Sequence, residues 1–176
     1  KVKIHSTDEA LKHGIGMVHQ HFSLVPNMSV AENVILLKSS VARNRSLKIN
    51  FDYEANKIKG FAESVGLPID PYAKVDLLPP GLKQRVEIVK LLYAGVSLII
   101  LDEPTSYLAP SEVISMLKTI RKLKESGISV VFVTHKLREV LSIADRIAIL
   151  SKGKLVDVIE DPRQVTEEDI VRKMFT

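Results

Sequence analysis

Hydrophobic positions along the chain follow two rhythms. The unbroken aliphatic run at 98–101 predicts a strand buried on both faces, as in a parallel sheet, since a strand covered on both sides has no need of polar alternation; 129–134 reads as a second buried strand and 15–19 as a short strand. Between the runs, apolar residues recur at helical spacing. Ile58, Phe61, Ala62 and Val65 mark one helix within 53–65, and Leu82, Val86, Val89 and Tyr93 mark another over 82–94. A third starts at Pro110, with Val113, Ile114, Leu117, Ile120 and Leu123 on one side.

Punctuation residues place the ends. Ser6 with Glu9 and Ser29 with Glu32 have the spacing of capping boxes, opening helices that run to Gly14 and through Leu37. Pro26-Asn27 is a turn, and Gly66, Pro68, Asp70 and Pro71 break the chain again. Residues 38–50 are polar, basic and aperiodic, which predicts a loop. Gly127 stops the helix begun at Pro110, and residues 136–142 form a short helix. Segments 146–150 and 154–159 form a hairpin around Lys152-Gly153, and Thr166 with Asp169 caps a last helix. Strand, helix, strand, helix in the second half predicts an α/β fold with right-handed crossovers. No internal repeat interrupts this order.

Composition narrows the classes. A length of 176 residues with 45% hydrophobic positions suits one domain with a real core. The net charge of +4 arises from 25 basic and 21 acidic residues with interspersed signs, which is a solvated surface. A nucleic-acid footprint needs clustered charge, and the sole cluster, 38–48, reads as a solvated loop, so no nucleic acid partner is expected. The absence of cysteine fits a reducing cytoplasm. No apolar run approaches the ~20 residues of a membrane helix, and no leader is visible, so any service to a membrane is expected from the side.

The chemistry concentrates at 98–106, Leu-Ile-Ile-Leu-Asp-Glu-Pro-Thr-Ser. Parallel strands carry ligand sites at their carboxyl ends, where Asp102 and Glu103 sit. Two carboxylates at the edge of a core are costly without a cation, and Mg²⁺ with nucleotide phosphates answers that need. Asp102 is the candidate Mg²⁺ holder and Glu103 the candidate general base. His135, just past another strand, can donate to a γ-phosphate or hold the attacking water. The amide of Gln20, at the end of a third strand, can sense metal and water. Each residue alone is a weak signal; together they fit phosphoanhydride hydrolysis.

Their order and spacing resemble the ATP-binding cassette (ABC) ATPases. Asp102-Glu103-Pro104-Thr105 looks like the Walker B motif, and Val131-Phe132-Val133-Thr134-His135 like the switch-histidine loop. Gly16-Met17-Val18-His19-Gln20 looks like the Q-loop. Gly81-Leu82-Lys83-Gln84-Arg85-Val86-Glu87-Ile88 sits where the signature motif sits, and 106–110 at the D-loop position. Residues 16–34 and 84–93 are closest to the first cassette of the sugar and nucleoside importer branch. The resemblance implies a P-loop NTPase-like core with a parallel sheet, formed by 1–22 and 96–176, and a helical subdomain over 23–95. It implies a cytoplasmic motor, peripheral on the inner face of the cell membrane, that uses ATP and Mg²⁺. Its implied partners are transmembrane permease subunits, met through 22–33, a second ABC ATPase domain and, indirectly, a solute-binding protein.

Two departures matter. No G-x-x-x-x-G-K-[ST] occurs in these residues, so the phosphate-gripping loop is expected to lie upstream, and the chain alone is expected to be inactive. Leu78-Pro79-Pro80-Gly81-Leu82 stands where the family has Leu-Ser-Gly-Gly-Gln; the serine hydroxyl is lost and neither proline has an N–H. Gly81 keeps its N–H, at the start of a helix expected from Leu82, as the remaining phosphate donor. The resemblance thus implies an ATP-hydrolysing importer subunit, with a non-catalytic cassette of binding or regulatory role as the alternative.

Overall fold

A computed structural model of the chain describes residues 2–42 and 50–174. It divides into two units, Lys1–Val133 and Thr134–Thr176, each described by itself.

The first unit runs α1 (Thr7–Lys12), β1 (Ile15–Val18), α2 (Val30–Ala42), α3 (Phe51–Ser64), a 3-10 turn (Val75–Leu77), α4 (Pro80–Tyr93), β2 (Leu98–Asp102), α5 (Pro110–Glu125) and β3 (Ser129–Val133). The strands form one parallel sheet in the order β1-β2-β3, with Val18 opposite Leu101 and Asp102 opposite Val133. The predicted α/β architecture is therefore present.

The expectation of strands buried on both faces is corrected. Register partners share a face, and one face carries Gly16, Val18, Ile99 and Leu101, the last two 0% exposed. The other carries Met17, Val131 and Val133, at 39%, 46% and 46% exposure. The physical reason is cover. The chain packs α4 against the first face so closely that a Cβ on Gly16 would lie 2.7 Å from Leu91 Cδ2.

Helix ends follow local chemistry. Ser29 N–H donates to Glu32 Oε2 at 2.6 Å while Glu32 N–H donates to Ser29 Oγ at 3.2 Å, a complete capping box. Glu9 instead accepts from His5 N–H at 2.7 Å, one residue earlier than its box requires, while Ser6 Oγ caps Glu9 N–H. The loop predicted from 38 is corrected at its start, because α2 continues to Ala42. No breaker stands between Leu37 and Ala42, and Lys38 Nζ lies 4.4 Å over the Tyr93 ring and 3.7 Å from Glu54. The rest of that predicted loop, 43–49, lies outside the described residues, and Asn50 caps α3 through Tyr53 N–H.

Two helical faces also differ from the periodicity. On α5 the buried stripe is Met116, Ile120 and Leu123, while Ile114 is exposed. On α4 the buried set runs nearly all round and includes Gln84, Glu87 and Lys90 with Val86, Ile88, Val89 and Leu91. Such a helix is enclosed by its neighbours rather than laid on a surface.

The second unit comprises α6 (Leu137–Ile143), β4 (Ile147–Ser151), β5 (Lys154–Ile159), a 3-10 turn (Pro162–Gln164) and α7 (Glu167–Met174). The predicted hairpin is present: β4 and β5 are antiparallel, and Lys152 and Gly153 both have positive φ, as a two-residue hairpin turn needs. Its core gathers Ile147, Ile149, Ile159 and Ile170. Asp169 caps α7 by accepting from Thr166 N–H at 2.9 Å and Thr166 Oγ1 at 2.7 Å.

Candidate functional site

Parallel pairing sends every strand of the first unit to the same edge at its carboxyl end. Asp102 is the last residue of β2 and Glu103 the next, while Gln20 follows the end of β1 by two residues. Asp102 and Glu103 are half-buried and Gln20 is exposed. The fold therefore brings these three predicted residues to one edge.

Glu103 is held more firmly than its position in the sequence implies. Its φ is 45°, in the left-handed region that side-chain-bearing residues rarely adopt. Such a conformation costs on the order of 1–3 kcal/mol and persists where surroundings enforce it. Here Glu103 N–H donates to Val133 O at 2.9 Å, extending the β2–β3 ladder by one residue. Ser106 N–H donates back to Glu103 O at 3.2 Å, and Ser106 Oγ donates to Glu103 Oε2 at 2.7 Å. Pro104 and Thr105 are buried beneath this turn. Sequence reasoning placed Ser106 in a motif and missed its contact with Glu103; a hydroxyl three residues after a carboxylate was the available signal.

The other two candidates belong to other elements. His135 belongs to the second unit, two residues past the end of β3, and is exposed. Gly81 lies in the first turn of α4, which begins at Pro80 rather than at the predicted Leu82. Proline suits that first position because its missing N–H would find no partner there. Leu82 and Lys83 N–H both turn back to Pro79 O, at 3.0 and 3.1 Å, leaving Gly81 N–H as the first-turn donor these bonds do not use. A Cβ on Gly81 would lie 2.3 Å from Glu112 Oε1, so a carboxylate already stands beside this helix end. Glu112 is fixed there by accepting from Ala109 N–H at 2.9 Å.

Among the described residues no cluster of three or more His, Cys, Asp or Glu side chains forms a metal cage. Mg²⁺ seldom needs one, because it takes one or two carboxylates and completes its shell with water and phosphate oxygens. Asp102 and Glu103 at the sheet edge fit that demand as the protein's share of a site. No described helix is long and apolar enough to cross a membrane.

Comparison with known proteins agrees with this architecture. The sequence profile of the ABC transporter family matches residues 1–106. The glucose import ATP-binding protein TsgD13 of Haloferax volcanii is 36% identical over 199 residues, covering 99% of this chain and 36% of that protein. The nucleoside import ATP-binding protein NupA of Lactococcus lactis is 38% identical over 157 residues, covering 89% of this chain and 30% of that protein. The chain thus spans about a third of the length of these relatives. Two solved structures share the fold. One is a metal-chelate type ABC transporter in an inward-facing conformation, at TM-score 0.75 and 24% identity over 92% of this chain and 63% of that one. The other is the ADP conformation of an ATP-binding cassette, at TM-score 0.74 and 21% identity over 96% of this chain and 70% of that one. With the profile spanning more than half of its residues and the sheet matching solved cassettes, the chain belongs to the ABC transporter family.

Proposed function

We infer that this chain forms part of the ATP-handling subunit of an importer, coupling ATP hydrolysis to uptake of a sugar or nucleoside. The observation that carries the reading is the convergence of Gln20, Asp102 and Glu103 on one edge of a parallel sheet in an ABC family chain. The names of the relatives, glucose and nucleoside import proteins, support the solute class. In this reading residues 1–22 and 96–176 serve the nucleotide, and the helices of 23–95 serve a transmembrane permease. A second ATPase domain and a solute-binding protein complete the assembly, which works at the cytoplasmic face of the membrane.

Each residue then has a task. Mg²⁺, when bound, would screen charge developing on the phosphates. Asp102 would hold it, with the Gln20 amide reporting on metal and water. Glu103 would orient the attacking water and take up its proton, with the Ser106 hydroxyl fixing the carboxylate's direction. His135 would donate to phosphate oxygen, and Gly81 N–H would offer a further donor to the phosphate of a second domain's nucleotide.

A second reading, a cassette that binds or regulates without hydrolysis, is favoured by one observation. Pro79 caps α4 with no side-chain hydrogen bond, and the Glu112 carboxylate stands beside Gly81, where it repels an anion. Uptake separates the readings. Deleting the gene is expected to abolish accumulation of labelled glucose, ribose or a nucleoside, and a Glu103→Gln replacement is expected to fail to restore it. Full restoration by Glu103→Gln supports the non-catalytic reading; unchanged uptake of all three solutes after deletion removes the importer assignment.

A further inference from the structure

The segment following Gln20 is gripped by its main chain. Ser23 N–H donates to Glu87 Oε1 at 2.5 Å, and Ser23 O accepts from Lys90 Nζ at 3.1 Å. Glu87 and Lys90 lie one turn apart on α4 and pair at 2.6 Å. Two residues further on, Val25 N–H donates to Asn33 Oδ1 at 2.7 Å and Val25 O accepts from Asn33 Nδ2 at 3.2 Å. Asn33 belongs to α2, and its Nδ2 also reaches Ser29 O at 3.0 Å. Both polar groups of residues 23 and 25 are thus held by side chains from two helices, as a neighbouring strand would hold them.

Burial gives these contacts weight. Asn33, Glu87 and Lys90 are 3%, 2% and 8% exposed, three of the six polar or charged residues buried among the described residues. A buried ion pair is weak evidence for stability, because well-packed apolar residues often serve as well. A pair whose remaining hydrogen-bonding capacity goes to one backbone residue of a loop calls for a different explanation. The side chains of Ser23 and Val25 stay exposed, so the grip makes no demand on side-chain identity there.

We propose that Glu87, Lys90 and Asn33 form a main-chain cradle that ties residues 20–25 to α4 and α2, so that Gln20 moves with these helices. The three are positioning residues; they act on the nucleotide site through Gln20. The proposal rests on the reading of Gln20 as a sensor of metal and water. Its physical basis is that hydrogen bonds to charged partners are the strong ones, and burial excludes competing water. Displacing α4 along its axis would then carry Ser23, and with it the loop bearing Gln20.

The test compares variants of the native protein by amide hydrogen exchange and by MgATP hydrolysis. Glu87→Leu with Lys90→Met keeps the volume and removes both grips on Ser23. It is expected to leave exchange within α4 and β2 unchanged, to speed exchange at Ser23 at least tenfold, and to lower kcat at least tenfold with KM for ATP unchanged. Ser23→Ala is expected to change nothing, because its side chain is unused. Should the double apolar variant fail to fold, Glu87→Gln with Lys90→Met supplies the same comparison, retaining the amide oxygen for Ser23 N–H and giving an intermediate effect. Unchanged exchange at Ser23 overturns the cradle whatever the nucleotide data show. Faster exchange with unchanged kcat overturns the positioning role, and a Ser23→Ala effect as large as the double variant's overturns the main-chain basis. If the unaltered protein hydrolyses no ATP, the functional reading fails and the positioning role with it, while exchange still decides the cradle.

Discussion

The two faces of the parallel sheet are built from similar residues and meet different surroundings. On one, Val18, Ile99 and Leu101 are sealed under helices; on the other, Met17, Val131 and Val133 keep much of their surface. The difference teaches that an aliphatic run announces a strand without saying how many of its faces the fold covers. Cover is decided by where the helices pack, and α4 is drawn to the face that Gly16 leaves open for Leu91.

Substitutions can break or sharpen this contrast. Leu101→Ala should cost about 2–5 kcal/mol of unfolding free energy in urea, from lost burial plus the cavity left behind. Gly16→Ala should cost about 1–3 kcal/mol on the same face, because its Cβ has no room against Leu91. Val131→Thr, on the open face, should stay within ~0.5 kcal/mol of the parent. Equal losses at positions 101 and 131 would erase the distinction between the faces. The smallest effect belongs to the second unit and serves as a baseline. The Asp161 carboxyl is held down to about 2 from its ordinary 3.8, chiefly by the Arg163 side chain and then by Gln164. A depressed carboxyl stabilises the fold above its unfolded pKa and loses that contribution as pH falls through about 2. Asp161→Asn should therefore flatten the pH dependence of the melting temperature below pH 4 by a small margin, as followed by circular dichroism.

Much of the fold was legible because its signals are local. Capping residues at Ser29 and Asp169, the Lys152-Gly153 turn and the three aliphatic runs each act within a few residues. The parallel pairing of the strands, and with it the carboxyl-end position of Asp102 and Glu103, followed from the logic of parallel crossovers. What stayed hidden depends on distant partners. The burial of Glu87 and Lys90 answers to Ser23, more than sixty residues away in sequence. The exposure of Ile114 depends on what packs beside its helix. The left-handed turn at Glu103 was equally unreadable, since nothing in Asp-Glu-Pro announces a positive φ.

That turn is also where the functional reading is most exposed to test. The direct measurement is MgATP hydrolysis by the native protein with Glu103→Gln, alongside ATP binding by the same variant. If Glu103 takes the proton from water, hydrolysis should fall at least ~100-fold while ATP binding is retained. Hydrolysis by Glu103→Gln at the parent rate would contradict the assignment of the sheet edge as the hydrolytic site.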